Sequence, residues 1–339
     1  MGTVTAVMPI PAIKPRNTAI VVGTVSLGKA KNMNSHYPGP GNFTKMTHRT
    51  DNLKQSCQKM GHYSTRLCRW VATSGQNVNT RGMPIVSVLS LKGGVGKTSV
   101  TLGLAGAATT RGLASLVVDL DPQGNATSIL RTHPSKTTVA NVLEHPTRFE
   151  IEGALTPCEW EIGPGEVDVL ASHPSLIRFD SWTHPGTVLK PKLAKALAQL
   201  DGYDLVLIDC PPSLGALTRE ALAASDLALI VTTPSYFGAQ GVERAVAEVE
   251  EIRKSVNPRL KLAGIVVNRV RSVAEEHQYR MGELANLYGK NAILKPFLPE
   301  RIAVTQAEGF GTPICEVKTT GAREVAGIFD QYLSMLLRK

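Results

Sequence analysis

Leu91-Lys92-Gly93-Gly94-Val95-Gly96-Lys97-Thr98-Ser99 closes an apolar run, Ile85–Leu91, and opens a helix-length segment, Ser99–Thr110. A strand, a glycine-rich turn and a helix in that order make the setting of a phosphate-binding loop. Glycines let the backbone wrap an anion with its N–H groups turned inward, and the helix N-terminus adds partial positive charge. Lys97 is then placed to reach β- and γ-phosphates, and the Thr98 hydroxyl to ligate Mg²⁺. The plainer alternative, a Gly-rich turn with no ligand, does not account for Gly-Lys-Thr at this point.

Outward from the loop, short apolar runs alternate with helix-length segments. Ile85–Leu91, Ser115–Leu120, Val167–Ala171, Leu205–Asp209, Leu227–Thr232 and Leu262–Val267 read as buried strands. Ser99–Thr110, Val188–Leu200, Leu214–Ala224, Gln240–Ser255 and Val273–Leu287 read as helices. Continuously apolar strands between helices predict an α/β fold: a mostly parallel sheet flanked by helices on both faces, with ligands at the carboxyl ends of the strands.

The charge is unevenly spread. Residues 1–82 carry eleven basic side chains and one acid, Asp51, which leaves 26 basic and 27 acidic residues for 83–339. The net charge of +9 therefore says nothing about nucleic-acid binding by the second part. Residues 1–82 lack a sustained apolar period and read as a disordered basic extension: a polycation arm, a targeting peptide or the product of a start assigned too far upstream. The patterned domain is expected at 83–339. Cys57, Cys68, Cys158, Cys210 and Cys315 are odd in number with no C-x-x-C pair, so neither a disulfide framework nor a zinc or iron–sulfur site is legible. No uncharged apolar run reaches the roughly 18 residues of a spanning helix.

The loop departs from the usual phosphate-loop pattern: Leu91 stands six residues before Lys97 where Gly is expected, and a second lysine, Lys92, precedes the glycines. This K-G-G-V-G-K-T form resembles the deviant Walker A motif of the ParA/MinD family of dimeric ATPases. The resemblance implies that Lys92 reaches the nucleotide of a partner subunit, as an arginine finger does, and that two subunits approach closely at Gly93. It assigns ATP to Lys92, Gly93, Gly94, Val95, Gly96, Lys97, Thr98 and Ser99. Asp119-Leu120-Asp121-Pro122-Gln123-Gly124-Asn125-Ala126-Thr127 resembles the second acidic motif of the ParA/Soj branch, which implies that Asp121 positions the attacking water while Asp119 is structural. A turn or helix cap is the alternative use of these carboxylates. Leu205-Val206-Leu207-Ile208-Asp209 followed by Cys210-Pro211-Pro212-Ser213-Leu214-Gly215 resembles the Walker B strand of partition ATPases. There the resemblance assigns Asp209 to Mg²⁺ through water, and Cys210 reads as packing. By the same resemblance Asn268 reads the adenine, with an Asn turn or cap as its alternative, and Leu298-Pro299-Glu300-Arg301 closes over the base, making Pro299 and Arg301 further contacts. Relatives often carry a basic residue where this chain has Ala303.

The catalytic set implied is thus Lys92, Lys97 and Asp121, and the metal set Thr98 and Asp209. The function implied is an ATP-dependent, dimerising partition ATPase, cytoplasmic and nucleoid-associated, that binds duplex DNA non-specifically and is discharged by a ParB-like partner. The alternative is a MinD-like ATPase cycling on membranes. Val325, Ile328, Phe329, Tyr332, Leu333 and Leu336 form the needed apolar stripe, but Arg323, Arg338 and Lys339 against Glu324 and Asp330 make no basic polar face. A helix packed on the domain is the expectation for this segment.

Overall fold

The computed structural model describes residues 83–132, 136–160, 162–182, 190–271 and 274–339. The expectations for residues 1–82, and the first residues of the helices expected from Val188 and Val273, lie outside them.

The described chain runs β1 (Ile85–Leu89), α1 (Lys97–Thr110), β2 (Ala114–Asp119), α2 (Asn125–Ile129), α3 (Val139–Glu144), α4 (Arg148–Ala154), β3 (Leu155–Pro157) and β4 (Glu166–Leu170). After a 3-10 turn, Pro174–Trp182, come α5 (Lys192–Leu197), β5 (Leu205–Asp209), α6 (Ala216–Ala224), β6 (Leu227–Thr232), α7 (Tyr236–Ser255), β7 (Lys261–Val267), α8 (Glu275–Tyr288), α9 (Ile302–Phe310) and α10 (Thr320–Leu336). Seven strands form one sheet in the order β3-β4-β2-β5-β1-β6-β7. Every pairing is parallel except that of the edge strand β3 with β4. Every residue of β2, β5 and β6 is buried, as a sheet covered on both faces requires.

All six expected strands are present, with ends moved by up to two residues. The antiparallel β3 was not expected. It has three residues, one of them Pro157, too short to show a period and tolerable only at an edge. Helices α2, α3, α4 and α9, of five to nine residues, also escape a periodicity that needs about 11 residues to register. The expected helix Val188–Leu200 is seen only over Lys192–Leu197, behind Pro191. Its start is capped from another element: Glu220 on α6 accepts the Leu193 N–H at 3.1 Å. Conversely α7 begins at Tyr236 rather than Gln240, because the Ser235 hydroxyl caps it through the Gly238 N–H.

Two apolar clusters fill the two faces of the sheet. In α10 the stripe Val325, Ile328, Phe329, Tyr332, Leu333 and Leu336 is buried, with the Phe329 ring over Gly103 of α1. That seats the C-terminal helix on the domain. Among the described residues, no helix is long and apolar enough to cross a membrane.

Candidate functional site

The strand order places β1 between β5 and β6, neither of which follows it directly in the chain. The loop leaving β1 therefore meets the ends of several strands at a point where the connectivity reverses, where open α/β sheets bind ligands. Gly94 and Gly96 have φ of 72° and 95°, backbone angles that glycine adopts without strain. A Cβ on Gly96 would also lie 2.2 Å from Asn268 Nδ2. Helix α1 starts at Lys97 with no side-chain cap and no acid in its first turn, so its leading N–H groups are left for an anion. Lys92, Gly93 and Gly94 are exposed at the rim, whereas Lys97 is only 6% exposed and Val95 is buried. The two lysines of the motif thus occupy opposite environments.

β2 and β5 deliver the carboxylates. Asp119 and Asp209 are direct partners in the ladder, and the Leu120 N–H donates to the Asp209 carbonyl at 2.9 Å. Thr98 Oγ1 donates to Asp209 Oδ2 at 2.7 Å, and Thr101 Oγ1 lies 3.3 Å from Oδ1. Burial, then the charge of Asp119, pushes the Asp209 carboxyl up to about 7, with the Thr98 hydroxyl and the Lys97 ammonium opposing. A buried carboxylate and a threonine hydroxyl, both hard oxygen donors, fit a Mg²⁺ shell completed by phosphate and water. Asp119 accepts from the Thr127 N–H at 2.8 Å, from its hydroxyl at 2.7 Å and from the Asp121 N–H at 3.2 Å. Its lone pairs are spent on pinning the turn; burial still raises its carboxyl to about 6. Asp121 sits two residues on. Its Oδ1 accepts the Gln123 N–H at 3.0 Å, and its carbonyl accepts the Ser172 hydroxyl at 2.5 Å, so the loop is anchored from the segment that follows β4, and Asp121 as a whole is 7% exposed.

At the end of β7, Asn268 Nδ2 donates to the Val95 carbonyl at 2.8 Å and Oδ1 accepts the Arg269 N–H at 2.8 Å. Asn268 thus braces the phosphate loop itself. Leu298–Arg301 runs beside the continuation of β7: Val270 N donates to Leu298 O at 3.0 Å and Glu300 N to Val270 O at 3.2 Å. This brings Pro299 next to Asn268's turn. The Arg301 guanidinium is engaged by Glu324 on α10 at 2.8 Å. Ser99 donates to Glu308 on α9. Ala303, in the first turn of α9, is buried. Cys210 is fully buried, and desolvation raises its thiol above the ordinary range, so it packs and does not react.

Sequence reasoning missed Thr101, Ser172 and Glu308, and gave Thr127, at the end of the acidic motif, no role of its own. Thr101 left a trace, three residues after Thr98 and so on the same helix face; Ser172 and Glu308 arrive by tertiary contact. Among the described residues no cluster of three His, Cys, Asp or Glu could hold a metal on its own.

The AAA domain family matches residues 83–262. The chain is 31% identical over 232 residues to the chromosome-partitioning ATPase Soj of Thermus thermophilus, covering 68% of this chain and 87% of Soj. It is 30% identical over 243 residues to the chromosome partitioning protein ParA of Myxococcus xanthus, covering 70% of this chain and 83% of ParA. Among solved structures, cobyrinic acid a,c-diamide synthase from Mycobacterium smegmatis with bound ADP and magnesium superposes with a TM-score of 0.58 at 27% identity. That match covers 68% of this chain and 92% of the synthase.

Proposed function

The chain belongs to the ParA/Soj-like ATPase family, and on that premise we propose that it is a partition ATPase that binds ATP with Mg²⁺ between two copies of itself. Lys97, Gly94, Val95, Gly96 and Ser99 hold the phosphates, Thr98 and Asp209 hold the metal, and Asn268, Pro299 and Arg301 border the base. Bound Mg²⁺ neutralises charge on the phosphate oxygens. Asp121 orients the water that attacks the terminal phosphorus, and the leaving oxygen departs with ADP.

The observation that carries this reading is the division of labour in one loop: Lys97 buried beside Asp209, Lys92 exposed at the rim. A lysine that its own subunit leaves in solvent is free to reach a partner's nucleotide. Gly93 agrees, because a Cβ there would meet nothing of its own subunit nearer than Pro212 Cβ at 4.0 Å. The fold does not require glycine at that position; a second backbone passing close would.

In the dimer the protein holds duplex DNA through phosphate contacts, on the nucleoid in the cytoplasm, until a ParB-like partner triggers hydrolysis. Of the core's basic residues, Arg271 is paired with Glu300, Arg280 with Glu276 and Glu283, and Arg301 with Glu324. Arg269, Lys290, Lys318 and Arg323 make no ion pair among the described residues and are the proposed phosphate contacts. The membrane-cycling alternative needs a free amphipathic helix, and the apolar face of α10 is spent inside the domain.

ATP turnover with and without duplex DNA and a ParB-like peptide, beside DNA and liposome pelleting, tests the proposal. Turnover stimulated by DNA and peptide, with ATP-dependent DNA pelleting, supports it. Recruitment to liposomes in its place would select the membrane reading.

A further inference from the structure

Helix α9 follows the segment Leu298–Arg301 and reaches the first turn of α1, just past the phosphate loop, where Ser99 Oγ donates to Glu308 Oε1. The Ser99 hydroxyl lies at the lip of the loop, 3.5 Å from where a Cβ of Gly96 would stand, on the side where Asn268 meets the same glycine. A serine hydroxyl has one proton to donate, and an ionised carboxylate can only accept. A phosphate oxygen entering the loop beside Ser99 competes for the hydroxyl proton that Ser99 already directs at Glu308. Glu308 also places negative charge at the N-terminal turn of α1, where an incoming phosphate would otherwise be favoured. The far end of α9 is tied down, since the Arg131 guanidinium donates to the Phe310 carbonyl and Trp160 Nε1 to the Gly311 carbonyl at 3.0 Å. The cleft next to the pair is walled mostly by apolar groups, Leu102, Ile129, Val304 and Phe329, with the Thr312 hydroxyl also on its lining and the Trp160 indole N–H given to Gly311.

We propose that Glu308 is an affinity-setting latch: in the nucleotide-free protein its carboxylate holds the Ser99 hydroxyl, and a nucleoside di- or triphosphate must displace it to bind. Glu308 thereby lowers the affinity for both nucleotides. This rests on the phosphate-loop reading above.

Calorimetric titration of the full chain with Mg-ATP and with Mg-ADP tests it, using Glu308→Ala, Glu308→Gln, Ser99→Ala and the double variant Ser99→Ala/Glu308→Ala. Glu308→Ala should bind both nucleotides about tenfold more tightly, the scale of one charge-assisted hydrogen bond no longer in competition. Glu308→Gln, which keeps the shape and an acceptor but drops the charge, should move the same way by about threefold. With Ser99→Ala already in place, removing Glu308 should gain no more than about threefold, because the contested proton is gone. Damaged folding can only weaken binding, so a gain isolates the latch. Unchanged or weaker binding by both Glu308 variants would overturn it, as would a full tenfold gain in the Ser99→Ala background. Lys97→Ala in the same titration separates the premises: wild-type affinity there would overturn the phosphate-loop reading and the latch with it. Lost affinity there, with Glu308 variants unchanged, would overturn the latch alone.

Discussion

Lys97→Ala and Asp121→Ala should fail in opposite ways. Lys97 is buried in the phosphate loop and would contact the ground-state nucleotide, whereas Asp121 would act on the water, a contribution felt mainly in the transition state. Lys97→Ala should therefore lose ATP binding. Asp121→Ala should bind ATP, accumulate as dimer on a sizing column and turn over slowly; hydrolysis at the wild-type rate would remove Asp121 from the mechanism. Asp209 carries a cost that the metal-free protein bears alone. Its carboxyl is raised from the usual 3.8 to about 7, so the folded state keeps a proton that the unfolded chain has lost. The stabilisation present below about pH 4 is lost as pH rises through 7. In EDTA without nucleotide, Asp209→Asn should thus melt higher than the native protein at pH 8, and the gap should narrow toward pH 4. A constant gap across that range would contradict the assignment.

At the scale of elements, the contact between α1 and α10 decides whether the C-terminal helix belongs to the core. A Cβ on Gly103 would stand 2.2–2.4 Å from three atoms of the Phe329 ring, and the ring is 2% exposed with little room to move. Gly103→Ala should destabilise the protein by about 1–3 kcal/mol despite alanine's better helix propensity, the overpacking cost outweighing a gain of about 1 kcal/mol. Phe329→Leu in the same chain should restore part of the loss in urea unfolding. A stabilised Gly103→Ala protein would mean that α10 sits loosely. The strands were readable because burial on both faces makes each a continuous apolar run, as in Leu205–Asp209. The start of α5 at Lys192 draws on Glu220, which accepts the Leu193 N–H from 27 residues away in the chain, a partner no local pattern shows.

At the scale of the whole molecule, the predictions concern two copies. Gly93→Val should fold and bind ATP, since its own subunit leaves space at that position, yet stay monomeric by light scattering because a β-branched side chain would hold two loops apart. A dimer of ordinary affinity would show that the subunits do not meet there. DNA binding by residues 83–339 should require ATP, because one nearly neutral subunit offers few unpaired cations and the dimer doubles them. If about three phosphates are neutralised per subunit, log affinity against log salt should have a slope of about −5. Tight binding without nucleotide, in a filter assay at several salt concentrations, would contradict dimer gating.

By itself the sequence determined what depends on neighbours in the chain. The glycines and Lys97-Thr98 at a strand-to-helix turn, the apolar strands and the acids that end them are all local patterns, and Lys92 is distinctive by adjacency alone. Tertiary structure decided everything set by packing between distant segments. It brought Asp209 beside Thr98, turned Asn268 toward Val95 and committed Arg301 to Glu324. It also spent the apolar stripe of α10 on the core, as the lack of a basic polar face in that segment led the sequence to predict. A side chain's type is written in the chain, but which single partner takes its one proton or one face is settled only when strands and helices 50 to 200 residues apart are packed side by side.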